Sequence, residues 1–164
     1  MPARAATLGT LLRDLLEKLD GAVEQSYVEA GLAYRPRYTP VMRALMESGP
    51  TSIRNIALNA GITHSAASQT VAQMVEKGLV QLEPGNDARE RIVALTPVAQ
   101  AMIPKLEQHW RATNDAARKL DSELSMPLSD LLREAIAALD RASFTKRIGI
   151  AAAKHERSKS RKKI

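Results

Sequence analysis

The sequence predicts a mainly helical chain with a small β element, an α+β arrangement. Three observations predict it. Apolar residues recur at three- and four-residue steps over most of the chain, the spacing of one helix face. Two short runs, Leu79-Val80-Gln81-Leu82-Glu83 and Arg91-Ile92-Val93-Ala94-Leu95, read as strands on either side of Pro84-Gly85-Asn86-Asp87, which is turn chemistry. Most glycines and prolines fall between the periodic segments, and Gly9, Gly21 and Pro104 lie inside them.

The elements follow in order. Leu8, Leu11, Leu12, Leu15, Leu16, Leu19, Val23 and Tyr27 form the stripe of one long helix over about residues 7–30. Thr39-Pro40 reads as an N-cap followed by proline at the first helical position, and Gly49-Pro50 as the stop. Thr51-Ser52 opens a short helix that turns inward with Ile53, Ile56, Ala57 and Ala60. Gly61 breaks it. A new helix runs from Thr63 to Lys77, with Gly78 suited to its C-terminal cap. After the hairpin, Thr96-Pro97 opens a long helix in which Pro104 should kink or break the first turns. A last helix starts near Pro127, carries Leu128, Leu131, Leu132, Ala135, Ile136 and Leu139 on its inner face, and fades by Gly149.

Composition narrows the function. The chain has 164 residues, 45% of them apolar, enough for a packed core. Cysteine is absent, which excludes a disulfide framework, a thiolate nucleophile, a cysteine zinc site and a thiol switch. No apolar run is long enough for a membrane span. The N-terminal segment turns acidic and amphipathic at once, unlike a secretory signal, so the expected location is the cytoplasm. His64, His109 and His155 lie in three different elements, and no zinc-protease, phosphate-loop or nucleophile-elbow motif occurs. No enzyme activity, cofactor or metal site is expected. The formal net charge is +6, and residues 154–164 supply +5 of it. This basic tail is expected to be flexible. The charge therefore says little about the body, which must make its own case for a polyanionic partner.

That case begins between Ile53 and Val71, where the spacing suits two helices crossing at a steep angle. Ala57 sits where a larger side chain would push the helices apart, and Gly61 takes the turn. Ile62 and Ala67 point into the angle, and Val71, Met74 and Val75 continue the buried face. His64, Ser65, Ser68, Gln69, Ala72 and Gln73 are left facing outward. They are small or polar, able to approach base edges and phosphates. The hairpin that follows has the layout of a wing.

GITHSAASQTVAQMVEKGLVQLEPGNDARERIVALTPVAQ resembles the corresponding stretch of the MarR family of bacterial winged-helix transcription regulators. The matching pieces are the G-I-T-x-S-A start, the E-K-G-L-V junction, the D-x-R motif at Asp87 and Arg89, and L-T-P at residues 95–97. The resemblance implies a winged helix–turn–helix core at 39–96 with a recognition helix at about 63–77 and a wing at about 79–95. Residues 1–38 and 97–153 become dimerisation helices and loop. It implies a homodimer on double-stranded DNA with a palindromic operator. Independently, the apolar stripes of the terminal helices need another surface, and a second copy is the simplest.

Carried over by position, His64, Ser65, Ser68 and Gln69 look like the major-groove face, with Thr63 and Gln73 beside them. Gln69 is the best base reader by chemistry, since its amide can pair with both adenine N6 and N7. Arg89 looks like the wing arginine, held by Asp87, with Arg91 at the backbone. Ser52 and Arg54 lie at the start of the supporting helix, where helix N-termini bind phosphate. The recognition face departs from the family in having no Arg or Lys before Lys77, and the hairpin looks short. Arg35, Arg37 and Arg43 form a basic cluster around the Tyr34–Tyr38 loop that would compensate by gripping the DNA backbone. The resemblance further implies a small aromatic or phenolic effector, and Tyr34, Tyr38, His109 and Trp110 are the candidates to line its pocket. Two rival readings remain: a winged-helix module that binds a protein, and a nonspecific architectural DNA binder driven by the tail.

Overall fold

A computed structural model describes residues 6–85 and 91–161, with side chains as far as Lys154. The helices are α1 (Leu8–Glu29), α2 (Thr39–Ser48), α3 (Ile53–Ala60), α4 (His64–Glu76), α5 (Pro97–Glu123), α6 (Leu128–Arg141) and α7 (Phe144–Arg161). The strands are β1 (Thr51–Ser52), β2 (Val80–Pro84) and β3 (Arg91–Leu95). The hairpin is therefore part of a three-stranded antiparallel sheet in the order β1-β3-β2. Thr51 pairs with Val93, and Val80 with Leu95.

Packing divides the chain into two compact units, Met1–Thr113 and Asn114–Ile164. The first holds the core. Val41, Met42 and Leu45 of α2, Ile56 of α3, Ala67, Val71 and Met74 of α4, and Val80 and Val93 of the sheet are buried together. Tyr27 of α1 and Leu106 and Trp110 of α5 belong to the same cluster. The core thus extends past the expected boundaries at 38 and 97, because the ends of the flanking helices bury their large side chains against the central one. Along most of α1 the stripe is open: Leu8, Leu11, Leu12, Leu16 and Leu19 are exposed.

The second unit has a different character. None of the residues of α6 is buried, and Leu131, Leu132, Ile136 and Leu139 are exposed along one face. Asp121 ties α5 to α6 here. Its carboxylate accepts from the Ser129 backbone N–H at 3.2 Å and from the Ser129 hydroxyl at 2.5 Å. Those bonds favour the ionised form and hold the Asp121 carboxyl below its ordinary range.

Several expectations are corrected. Thr39 is the first residue of α2 rather than its cap; a 3-10 turn, Pro36–Tyr38, feeds the helix directly. Thr51 and Ser52 form β1 before α3 begins. Pro104 neither breaks nor ends α5. Its missing N–H leaves the carbonyl of Gln100 without an intrahelical donor, and Gln100 is exposed, so water can serve that carbonyl. The last helix is two helices. Ala142 is extended at φ −150° and ψ 108°, and the Ser143 hydroxyl accepts from the Lys146 N–H at 3.3 Å to start α7. α7 runs to Arg161, so the backbone of 154–161 is helical where a flexible tail was expected.

Candidate nucleic-acid interface

Local chemistry fixes where α4 stands. At the end of α3, Gly61 has φ +64°, and the Ile62 N–H bonds the Ala57 carbonyl at 3.1 Å. This is a Schellman closure, and glycine adopts the required conformation without a Cβ penalty. Thr63 is the N-cap of α4, its hydroxyl accepting from the Ala66 N–H at 3.2 Å. The other end repeats the device. Gly78 has φ +66°, and the Leu79 N–H bonds the Met74 carbonyl at 2.8 Å. Thr96 then locks this end to the next helix. Its hydroxyl donates to the Gly78 carbonyl at 2.7 Å and accepts from the Ala99 N–H at 3.3 Å. The threonine of the L-T-P sequence thus caps α5 and anchors the C-terminal end of α4 at once.

With both ends held, α4 buries Ala67, Val71 and Met74 and turns His64, Ser65, Gln69 and Ala72 to solvent. Ser68 and Gln73 are half-buried at the margin. Val75, expected inside, is 37% exposed, because it lies one step beyond the Val71–Met74 face. Up to that point the outward face has no large apolar side chain. Its chemistry is that of hydroxyls, amides and one imidazole, groups that pair with phosphate oxygens and base edges.

The structure divides the remaining candidates. Ser52 is only 8% exposed, and its hydroxyl accepts from the Asn55 N–H at 3.3 Å. It is the cap of α3 rather than an open contact, contrary to expectation. Arg54 and Arg91 are exposed. Asp87 and Arg89, expected to be wing contacts, lie outside the described residues. The expected arginine cluster is dispersed. Arg35 pairs with Glu24 of α1 at 3.3 Å, and the Arg43 guanidinium lies 4.8 Å from the centre of the Trp110 ring. Of the three, Arg37 is the one that reaches α4, where its Nη1 donates to Oε1 of Gln73 at 3.4 Å.

Tyr34, Tyr38, His109 and Trp110 do come together, around a residue the sequence had placed only in a helix stripe. Tyr27 stacks edge-on against Tyr34 at 5.1 Å and against His109 at 5.6 Å, and Tyr34 against Tyr38 at 5.7 Å. The Trp110 indole N–H donates to the Tyr27 hydroxyl at 3.1 Å. The three tyrosines and Trp110 are buried, and burial pushes the Tyr34 hydroxyl above the ordinary phenol range. These rings pack against one another as core and join α1, the 3-10 turn and α5. His109 alone of the five is half-exposed. A signal for Tyr27 existed: it is the one aromatic residue in the α1 stripe, at the end nearest the loop.

Residues 31–90, from the end of α1 to the wing, match the model of the MarR family. Among curated proteins no sequence match is found. Solved structures resemble the chain at the level of fold. A probable transcriptional regulator from Pseudomonas aeruginosa is 23% identical, with a TM-score of 0.57, over 81% of this chain and 96% of that one. The M. tuberculosis transcriptional regulator MOSR, solved in complex with DNA, is 18% identical, with a TM-score of 0.64, over 87% of this chain and 99% of that one. BpsR of Bordetella bronchiseptica, whose DNA binding is regulated by 6-hydroxynicotinic acid, is 20% identical, with a TM-score of 0.52, over 86% and 96%. Residues 31–90 of the chain are thus similar to the MarR family, and the chain shares the fold of these regulators.

Proposed function

We propose that the protein is a homodimeric, sequence-specific DNA-binding regulator that sets α4 of each copy into the major groove of a palindromic operator. The observation that carries this reading is the outward face of α4. His64, Ser65 and Gln69 stand exposed on a helix whose two ends are pinned by Gly61, Gly78 and Thr96. A rigid helix with a polar face suits base readout, because the cost of orienting its side chains is met before DNA arrives. A protein-binding face would present a large apolar anchor at its centre. The dimer is supported by the exposed leucines of α1 and α6, which a second copy would cover.

Gln69 reads a base in this scheme, Arg54 and Arg91 contact the backbone, and Arg89, partnered by Asp87, supplies the minor-groove contact. Regulation by a small aromatic ligand is part of the proposal. It is supported by the cluster around Tyr27, which touches the turn leading into α2, and by the regulated DNA binding of BpsR. His109 at the edge of that cluster is the side chain such a ligand would meet first.

The test is a titration of the full chain against a palindromic duplex from upstream of its own gene and against a scrambled duplex, at several salt concentrations. The same titration is run without residues 154–164. Preference for the palindrome should survive the truncation. The salt slope should flatten by about 0.9 for each phosphate that the tail neutralises in the full chain. Gln69→Ala should cost roughly 1–3 kcal/mol and relax one base position. Equal affinity for both duplexes would overturn the reading and favour a nonspecific binder.

A further inference from the structure

The contact between Arg37 and Gln73 bears on which base edge α4 reads, and its meaning rests on the reading of α4 as a DNA-contacting helix. Arg37 lies in the 3-10 turn, and Gln73 on α4, 36 positions later. A guanidinium has N–H donors and no acceptor. Only the amide oxygen of Gln73 can therefore face it, so the chemistry of the pair fixes the orientation of the amide. With Oε1 turned toward Arg37 and one of its lone pairs engaged, the half of the amide that Gln73 presents away from Arg37 is its NH₂, a pure donor. Gln69, one turn earlier on α4, makes no side-chain hydrogen bond among the described residues and keeps both its donor and its acceptor.

We propose that Arg37 is a positioning residue that makes Gln73 a donor-only reader. An amide with both groups available pairs with adenine, using its oxygen for N6–H and its nitrogen for N7. A donor-only amide is matched to major-groove edges whose acceptors have no donor beside them, guanine N7 and O6 or thymine O4; at adenine it can use N7 but leaves N6–H unmatched. The two glutamines of one helix face then select different bases although they are the same residue. The sequence shows two amides of the same chemistry; the approach of Arg37 leaves them different groups to offer. The contact is long at 3.4 Å, and Arg37 is exposed, so it biases the amide rather than locking it.

The experiment measures anisotropy of the full chain on a panel of duplexes in which each base pair of the bound site is changed in turn. The chain is compared with Arg37→Ala, Arg37→Lys and Gln73→Ala. The unmodified protein should favour guanine or thymine over adenine about tenfold at one position per half-site. Gln73→Ala should erase that preference at that position alone. Arg37→Ala should erase it too, by letting the amide turn over, and Arg37→Lys should retain it, since an ammonium also only donates. The double variant Arg37→Ala with Gln73→Ala should show no further change in the profile. If Arg37→Ala instead weakens every duplex equally and leaves the profile intact, Arg37 merely contacts phosphate and the inference is wrong. A lysine variant that behaves like the alanine variant contradicts it as well. If the unmodified protein shows no preference at any position, the reading of α4 as a base reader has failed, which is a different result from a preference that ignores Arg37.

Discussion

Leu16 and Tyr27 lie three turns apart on the same face of α1 and meet opposite surroundings. Leu16 is 56% exposed and Tyr27 is 1% exposed. The same division separates the two compact units. In the first, α2, α3, α4 and the sheet bury a continuous core; in the second, α6 buries nothing although its apolar stripe is the more regular. Periodicity is therefore a statement that a face must be covered, not that the same chain covers it. The end of α1 and the start of α5 are covered from within. The start of α1 and α6 are left for a second copy in the proposed dimer.

The largest expected effect lies on the uncovered faces. Leu131→Asp with Ile136→Asp places charges on exposed positions, so a lone chain should keep its helicity. In a dimer each such leucine or isoleucine contributes about 1.5–3 kcal/mol and is counted in both copies. The variant should sediment as a monomer with an unchanged circular dichroism spectrum. Trp110→Ala attacks the covered side instead and should cost about 3–5 kcal/mol, read as a fall in denaturant midpoint. Tyr27→Phe keeps the ring and removes the acceptor of the Trp110 indole N–H, for about 1–3 kcal/mol. Thr63→Ala removes the cap of α4 at an exposed site and should cost about 1 kcal/mol in the same assay. Equal losses for Trp110→Ala and Thr63→Ala would mean that the aromatic cluster is no core.

Much of the winged helix was legible because its signals are local. The bounds of α4, the turn at Gly61 and the return strand at Arg91–Leu95 all follow from caps, glycine conformations and alternation. What escaped was set by contacts distant in sequence or by elements too short to have a period. β1 has two residues, and it exists because Val93 and Ile92 pair with them. The break between α6 and α7 has no glycine or proline. It is held by Arg147, whose guanidinium donates to the carbonyls of Ala142 at 3.0 Å and Ala138 at 2.8 Å. The arginines around Tyr34 looked like one basic cluster in sequence. In space Glu24, Gln73 and Trp110 each claim one of them. Charge counting could not distinguish these partners, and of the three it is Arg37 that bonds a side chain of α4.

The exposed stripes of α1 and α6 are best tested by sedimentation equilibrium of the unmodified full chain at micromolar concentration. The chain mass is 17.9 kDa, and a dimer predicts twice that value, held on dilution well below the micromolar range. A mass of 17.9 kDa across the concentration range would contradict the dimer and leave the open leucines without the cover proposed for them.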